Sequence, residues 1–212
     1  MHFDQLIAIL ERKLKEPLPG KIAHLKLAPQ PVDQRRFEDV LRPDVRNSGV
    51  LILLYPDDDG FFFPLIKRPE YPGFHSGQMA FPGGKMEEGD ENVIQTALRE
   101  AEEEVGIDRH EVRILGKLTD LYIPTSNFLV SPVVGFLESQ PRFVPDQHEV
   151  SRIVQTSLDD LMDPGIQKHT IIEIGDTISL STPYFDIEGE IVWGATAMIL
   201  SELREVLGFQ GT

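Results

Sequence analysis

A chain of 212 residues with 41% hydrophobic and 26% charged residues can bury a sizeable core and has the balance of an ordinary globular protein. Its formal net charge of -15 argues against a nucleic-acid backbone as the main partner, but a divalent cation can reverse the local sign of an acidic site and admit an anionic small molecule. The absence of cysteine excludes disulfides, thiolate catalysis and Cys-ligated zinc or iron–sulfur centres.

Met1-His2-Phe3-Asp4 lacks the charged start and apolar core of a signal peptide, and no apolar run approaches the roughly 20 residues that span a bilayer. The expectation is a soluble, cytoplasmic protein with no membrane partner; a homodimer is compatible with the sequence but not dictated by it. Phe3, Leu6, Ile7, Leu10 and Leu14 fall at helical spacing, and Pro17 and Pro19 end the pattern. A connector rich in Pro and Gln follows, in which Arg35, Arg36 and Arg42 read as solvated charges. Residues 1–45 are thus expected to form an N-terminal helix and connector.

From Gly49, the run Val50-Leu51-Ile52-Leu53-Leu54-Tyr55 reads as a buried strand. Pro56 to Gly60 is a turn, and Phe61 to Ile66 is the returning strand of a hairpin. Leu118 to Ile123 and Val130 to Leu137 read as later strands around the turn Pro124-Thr125-Ser126-Asn127. Ser151 to Leu161 mixes a short strand with a helical turn. Ile171 to Ile174 and Thr177 to Leu180 suggest a second hairpin around Gly175-Asp176. A C-terminal helix is expected over 195–207. Hairpins with helices set between them give an α+β class with a mixed or antiparallel sheet. A single domain over 1–212 follows from this reading.

The segment richest in chemistry begins at Gly83-Gly84 and runs through a helix expected over 91–106, with Asp90 as N-cap and Gly106 as C-cap. Ile94, Ala97, Leu98, Ala101 and Val105 form one apolar stripe. Glu100, Glu103 and Glu104 stand on another face at i, i+3 and i+4. Like charges so placed cost the helix roughly a few tenths of a kcal/mol per pair. A hard cation, Mg2+ or Mn2+, held by carboxylate oxygens would offset the repulsion, and Arg99 could hold one carboxylate in place. A solvated acidic face would look the same at this level. The Gly-Gly turn favours the metal, because it lets the backbone come close beside the acidic face.

Gly84 through Ile107 resembles the Nudix box. The second half, Arg99-Glu100-Ala101-Glu102-Glu103-Glu104-Val105-Gly106-Ile107, matches the pattern fully; in the first half Asp90 replaces the usual Glu and one extra residue separates it from Arg99. Upstream, Leu65 to Gly84 is similar to the motif of the coenzyme A diphosphatase branch, with Arg68, Gly77 and Phe81-Pro82-Gly83-Gly84 in place. Ile66, Pro69 and Gly73 depart from that signature. The resemblance implies an α/β/α sandwich with a mixed sheet, box residues 84–107, and metal-dependent cleavage of coenzyme A or its derivatives to 3',5'-ADP and 4'-phosphopantetheine. It further implies Glu100 and Glu104 as metal ligands and Glu103 as a further ligand or the base. Arg99 is implied to orient a carboxylate, and Gly84, beside Gly83, to offer its carbonyl. In this family an acidic residue from a later loop often completes the site, and Glu149 is the candidate. Lys67 and Arg68 are candidates for binding an additional substrate phosphate, although strand-end surface charge accounts better for Lys67. His75, His148, Phe61 to Phe63 and Trp193 read more simply as loop or core residues. A hydrolase of ADP-ribose or another nucleoside diphosphate derivative, and a Nudix-fold ligand sensor without turnover, are the competing readings. The sensor reading sits poorly with three retained helix carboxylates.

Overall fold

The computed structural model describes residues 2–38, 42–70, 76–174 and 178–208. The elements run α1 (Phe3–Lys13), α2 (Lys21–Lys26), β1 (Arg46–Asp57), β2 (Gly60–Lys67), β3 (Met79–Ala80), β4 (Gly83–Lys85), α3 (Val93–Val105), β5 (Arg113–Lys117), β6 (Leu121–Ile123), β7 (Phe128–Phe136), β8 (Arg152–Ser157), α4 (Leu158–Met162), β9 (Gln167–Ile174), β10 (Ile178–Ile187), β11 (Glu190–Val192) and α5 (Gly194–Val206). Gly175 and Asp176, expected at a hairpin turn, lie outside the described residues, as do Gly73 and His75.

The continuous apolar run in β1 has a direct cause: both faces of this strand are covered. Leu51, Leu53 and Tyr55 pack with Ala97, Leu98, Ala101 and Val105 of α3. Ile52 and Leu54 point the other way, into a core with Leu6 and Leu10 of α1 and Met198, Leu200 and Leu203 of α5. Each leucine, isoleucine or methionine among these that is wholly removed from water contributes about 1.5–3 kcal/mol. The result is an α/β/α sandwich.

The central sheet is mixed. β1 lies parallel to β7 from Arg46↔Phe128 to Leu54↔Phe136. Its other edge is shared, with β2 antiparallel at Tyr55–Asp57 and β4 antiparallel at Ser48–Val50. β8 extends the sheet beyond β2, and β5 beyond β7. A separate sheet, ordered β11-β10-β9, sends Phe185, Ile187 and Val192 into the core that α5 covers.

Several expectations need correction. The connector holds the short helix α2, pinned from outside: buried His24 meets Glu202 of α5 at 3.0 Å, and Glu202 also accepts from the Gly20 N–H (3.0 Å) and the Thr119 hydroxyl (2.6 Å). Arg36, expected to be solvated, is half-buried, and burial lowers its pKa. Arg35 is exposed and pairs with Asp33. The strand expected over 118–123 is confined to β6, Leu121–Ile123; residues 118–120 lie between it and β5, which ends at Lys117. Trp193, read as core, is a half-exposed cap residue before α5.

Candidate metal centre

The site forms where α3 crosses β4 and the start of β1. Gly49 makes the crossing possible, since a Cβ there would sit 2.2 Å from the Val93 carbonyl oxygen. Asn92, not Asp90, is the N-cap of α3, and its side-chain oxygen accepts from the N–H groups of Ile94 (2.9 Å) and Gln95 (3.2 Å). Gly106 closes the helix at φ 72°, the left-handed conformation that a C-cap glycine adopts readily.

Freed from capping, Asp90 binds Arg99. The guanidinium donates from Nε to Oδ1 (3.0 Å) and from Nη2 to Oδ2 (2.9 Å), and this bidentate contact holds the Asp90 carboxyl far below the usual carboxylate range. The other side of the guanidinium reaches Glu100 (3.0 Å) and Glu103 (3.1 Å), and Nη2 also donates to the Lys85 carbonyl (3.3 Å). Arg99 therefore links the loop before α3, the end of β4 and two helix carboxylates.

The three helix glutamates do not converge. Glu104 is buried at 2% exposure, and its Oε2 accepts from the Gly83 N–H at 2.7 Å. Glu100 is half-buried beside Gly84, so close that a Cβ on Gly84 would lie 2.4 Å from its carboxyl carbon. Glu103 is exposed, held by Arg99. The third member of the carboxylate group is instead Glu149: Glu100, Glu104 and Glu149 each offer an oxygen within 4.8 Å of the others. The loop that carries Glu149 is fixed by the end of α3. Val144 N–H donates to the Val105 carbonyl (2.9 Å) and Asp146 N–H to the Glu104 carbonyl (3.0 Å), satisfying carbonyls that the helix leaves open.

Such a set of hard oxygen donors suits Mg2+ or Mn2+. Its electrostatics point the same way. Burial pushes the Glu104 carboxyl up to about 7, with the charges of Glu100 and Glu149 adding to the rise and the Gly83 N–H and Arg68 opposing it. Burial also raises Glu100, against the pull of Arg99. In the metal-free protein the raised Glu104 stabilises the fold fully below its ordinary value of 4.5, and that contribution is lost as pH rises through about 7. The shift from 4.5 to about 7 corresponds to roughly 3 kcal/mol. Thermal melts in a chelator should therefore show the midpoint falling from pH 5 to pH 8, and Glu104→Gln should flatten that slope. An unchanged slope in the variant would remove Glu104 as its source.

The remaining candidates divide. Arg68 is half-buried, lies close enough for its charge to act on Glu104, and donates its backbone N–H to the Gln78 carbonyl (3.0 Å). Lys67, a candidate for substrate phosphate, is engaged elsewhere: its ammonium donates to both oxygens of Glu190 at 3.0 and 2.9 Å, tying β2 to β11. His148 is exposed, with its N–H on Asp146. A cavity of about 360 Å³ is lined by Asp90 and Arg99 but contains none of the three grouped carboxylates.

Comparison with known proteins bears on this geometry. A family described as NUDIX domain matches residues 45–174. The chain is 34% identical over 182 residues to "Uncharacterized Nudix hydrolase NudL" of Pectobacterium atrosepticum, an overlap spanning 84% of this chain and 88% of that one. The protein of the same name from Yersinia pestis is 34% identical over 142 residues, or 66% of this chain and 70% of the relative. Among solved structures, the Nudix hydrolase RenU of M. smegmatis superposes with a TM-score of 0.54 at 16% identity, covering 76% of this chain and 84% of RenU. A MutT/nudix family protein from Enterococcus faecalis does so at 0.51 and 13% identity, covering 98% of this chain and 75% of that one. At these identities the superpositions speak to the fold alone. In the described residues, no helix is long and apolar enough to cross a membrane.

Proposed function

This chain belongs to the Nudix family of hydrolases acting on diphosphate bonds, and from that premise we propose that it cleaves coenzyme A or its derivatives with Mg2+ or Mn2+. The observation that carries the reading is the group formed by Glu100, Glu104 and Glu149, with oxygens within 4.8 Å of one another at the close-packed β4 backbone. The coenzyme A assignment is supported by Arg68, Gly77 and Phe81-Pro82-Gly83-Gly84 ahead of the box. Of the three departures from that branch, Ile66 is wholly buried in the core cluster that also holds Leu53 and Val133, so its identity answers to packing and not to the substrate.

Glu100 and Glu104 would hold the cation, Glu104 fixed by the Gly83 N–H and Glu100 by Arg99. When bound, the cation neutralises the diphosphate and lowers the pKa of a water. Glu149, the exposed member of the group, accepts the proton of the attacking water. The water oxygen bonds to phosphorus, the bridging phosphorus–oxygen bond breaks, and 3',5'-ADP and 4'-phosphopantetheine leave. Arg68 pairs with substrate phosphate, and Glu103 acts only through its contact with Arg99.

The test is incubation of the purified protein with Mg2+ or Mn2+ and a panel of coenzyme A, ADP-ribose and nucleoside triphosphates, with products identified by mass. The two coenzyme A products are expected. Faster turnover of ADP-ribose would overturn the substrate assignment, and no turnover of any diphosphate would favour a ligand sensor.

A further inference from the structure

β9 pairs with β10 on one side and forms the outer edge of its sheet. The phase of that edge can be read from Ser181 of β10. Its N–H and carbonyl exchange hydrogen bonds with Gln30 (3.2 and 2.8 Å), on the side away from β9. Ser181 stands opposite Ile171. In an antiparallel pair both opposed residues bond to each other or neither does, so the backbone groups of Ile171 also point away from β10. By alternation His169, Ile171 and Glu173 present their N–H and carbonyl groups at the edge, and no backbone group among the described residues meets them.

Natural edge strands are blunted by proline, bulges or unpaired charge. β9 has no proline, the charge of Lys168 is neutralised by Asp186, and the Glu173 carboxylate accepts from the Ser179 hydroxyl at 2.6 Å. At the centre of the strand Ile171 is 66% exposed.

We propose that β9 pairs antiparallel with β9 of a second copy, joining two three-stranded sheets across a twofold axis. A twofold perpendicular to the sheet brings together residues of one face only, so odd positions meet odd positions. This is also the phase in which the outward backbone groups meet each other. With Ile171 on the axis, the two exposed isoleucines pack together and His169 lies opposite the second copy's Glu173 on both sides. This placement sets the basic-capable and acidic residues of the edge against each other. Strand pairing alone buries less than the roughly 1,200 Å² of a standard complex, so dimerisation should be concentration-dependent, in the micromolar range or weaker.

Sedimentation equilibrium from micromolar to hundreds of micromolar protein tests this. The mass should climb from one chain towards two. Ile171→Pro removes an N–H that the intramolecular ladder does not use, so it should weaken association at least tenfold while far-UV circular dichroism stays unchanged. His169→Glu should weaken it by setting like charges opposite, and adding Glu173→Lys should restore it. A chain that stays monomeric throughout, or a dimer indifferent to all three variants, would overturn the proposal.

Discussion

Glu104→Gln should abolish turnover and leave the protein folded. The amide oxygen can still accept from the Gly83 N–H that Glu104 engages at 2.7 Å, so β4 keeps its anchor. What is lost is one of the grouped carboxylate charges. Removing a single preorganised electrostatic contact from an active site commonly costs about 10²–10³ in kcat, and a cation ligand should cost at least that. Glu103→Gln should stay within roughly tenfold of the parent, because among the described residues Glu103 stands outside the group and is held by Arg99. Steady-state rates for the two variants, with melting curves to confirm folding, separate the roles. Equal losses would mean that Glu103 belongs to the reacting machinery.

Gly83→Ala should be strongly destabilising. Gly83 has φ 153°, and a Cβ there would meet the Gly49 carbonyl oxygen at 2.4 Å and Val50 Cα at 2.6 Å. Both are backbone atoms of β1 and cannot swing aside. The variant must break the β4–β1 register and take with it the N–H on which Glu104 depends. A loss above about 3 kcal/mol is expected, in the range reserved for buried backbone conflicts. Gly89→Ala is the control, since nothing lies within 4 Å of a Cβ there, and it should fall within about 0.5 kcal/mol of the parent. Urea unfolding at a fixed pH measures both, and a tolerant Gly83→Ala would mean that β4 can leave β1 without cost.

How much of this was legible depended on whether the signal was local. The amphipathic stripe of α3, its Gly106 cap and the β1–β2 hairpin are written in periodicity and turn chemistry, and the structure has them. The short helix α2 was not legible, because six residues carry little propensity of their own and the helix is held by a glutamate 178 residues away from His24. β4 was hidden because a Gly-Gly-Lys segment has no strand signature; its pairing is imposed by Gly49 and Val50. Asp90 was a plausible cap by residue type, but the bidentate geometry of Arg99 competes for the same carboxylate and wins. Helical spacing places Glu100, Glu103 and Glu104 on one side, yet only the sheet decides which of them is covered. Glu149 could be named only through the family resemblance, since the bonds from Val144 and Asp146 to the end of α3 connect segments that no periodicity joins.

The parallel pairing of β1 with β7 sets the order in which the molecule can be assembled. Arg46 and Phe128 meet across 82 positions of chain, and α3 with all its carboxylates lies inside the loop this pairing closes. Closing so large a loop precedes any reward from the contacts within it, which slows folding relative to hairpin-built sheets. A chain emerging from the ribosome can form the β1–β2 hairpin early, but β1 has no parallel neighbour until β7 has emerged. The three carboxylates that repel one another are thus first brought together late, after Glu149 has followed β7 out. A divalent cation present at that stage would bind a nearly finished protein, acting on its final stability and not on the choice of fold.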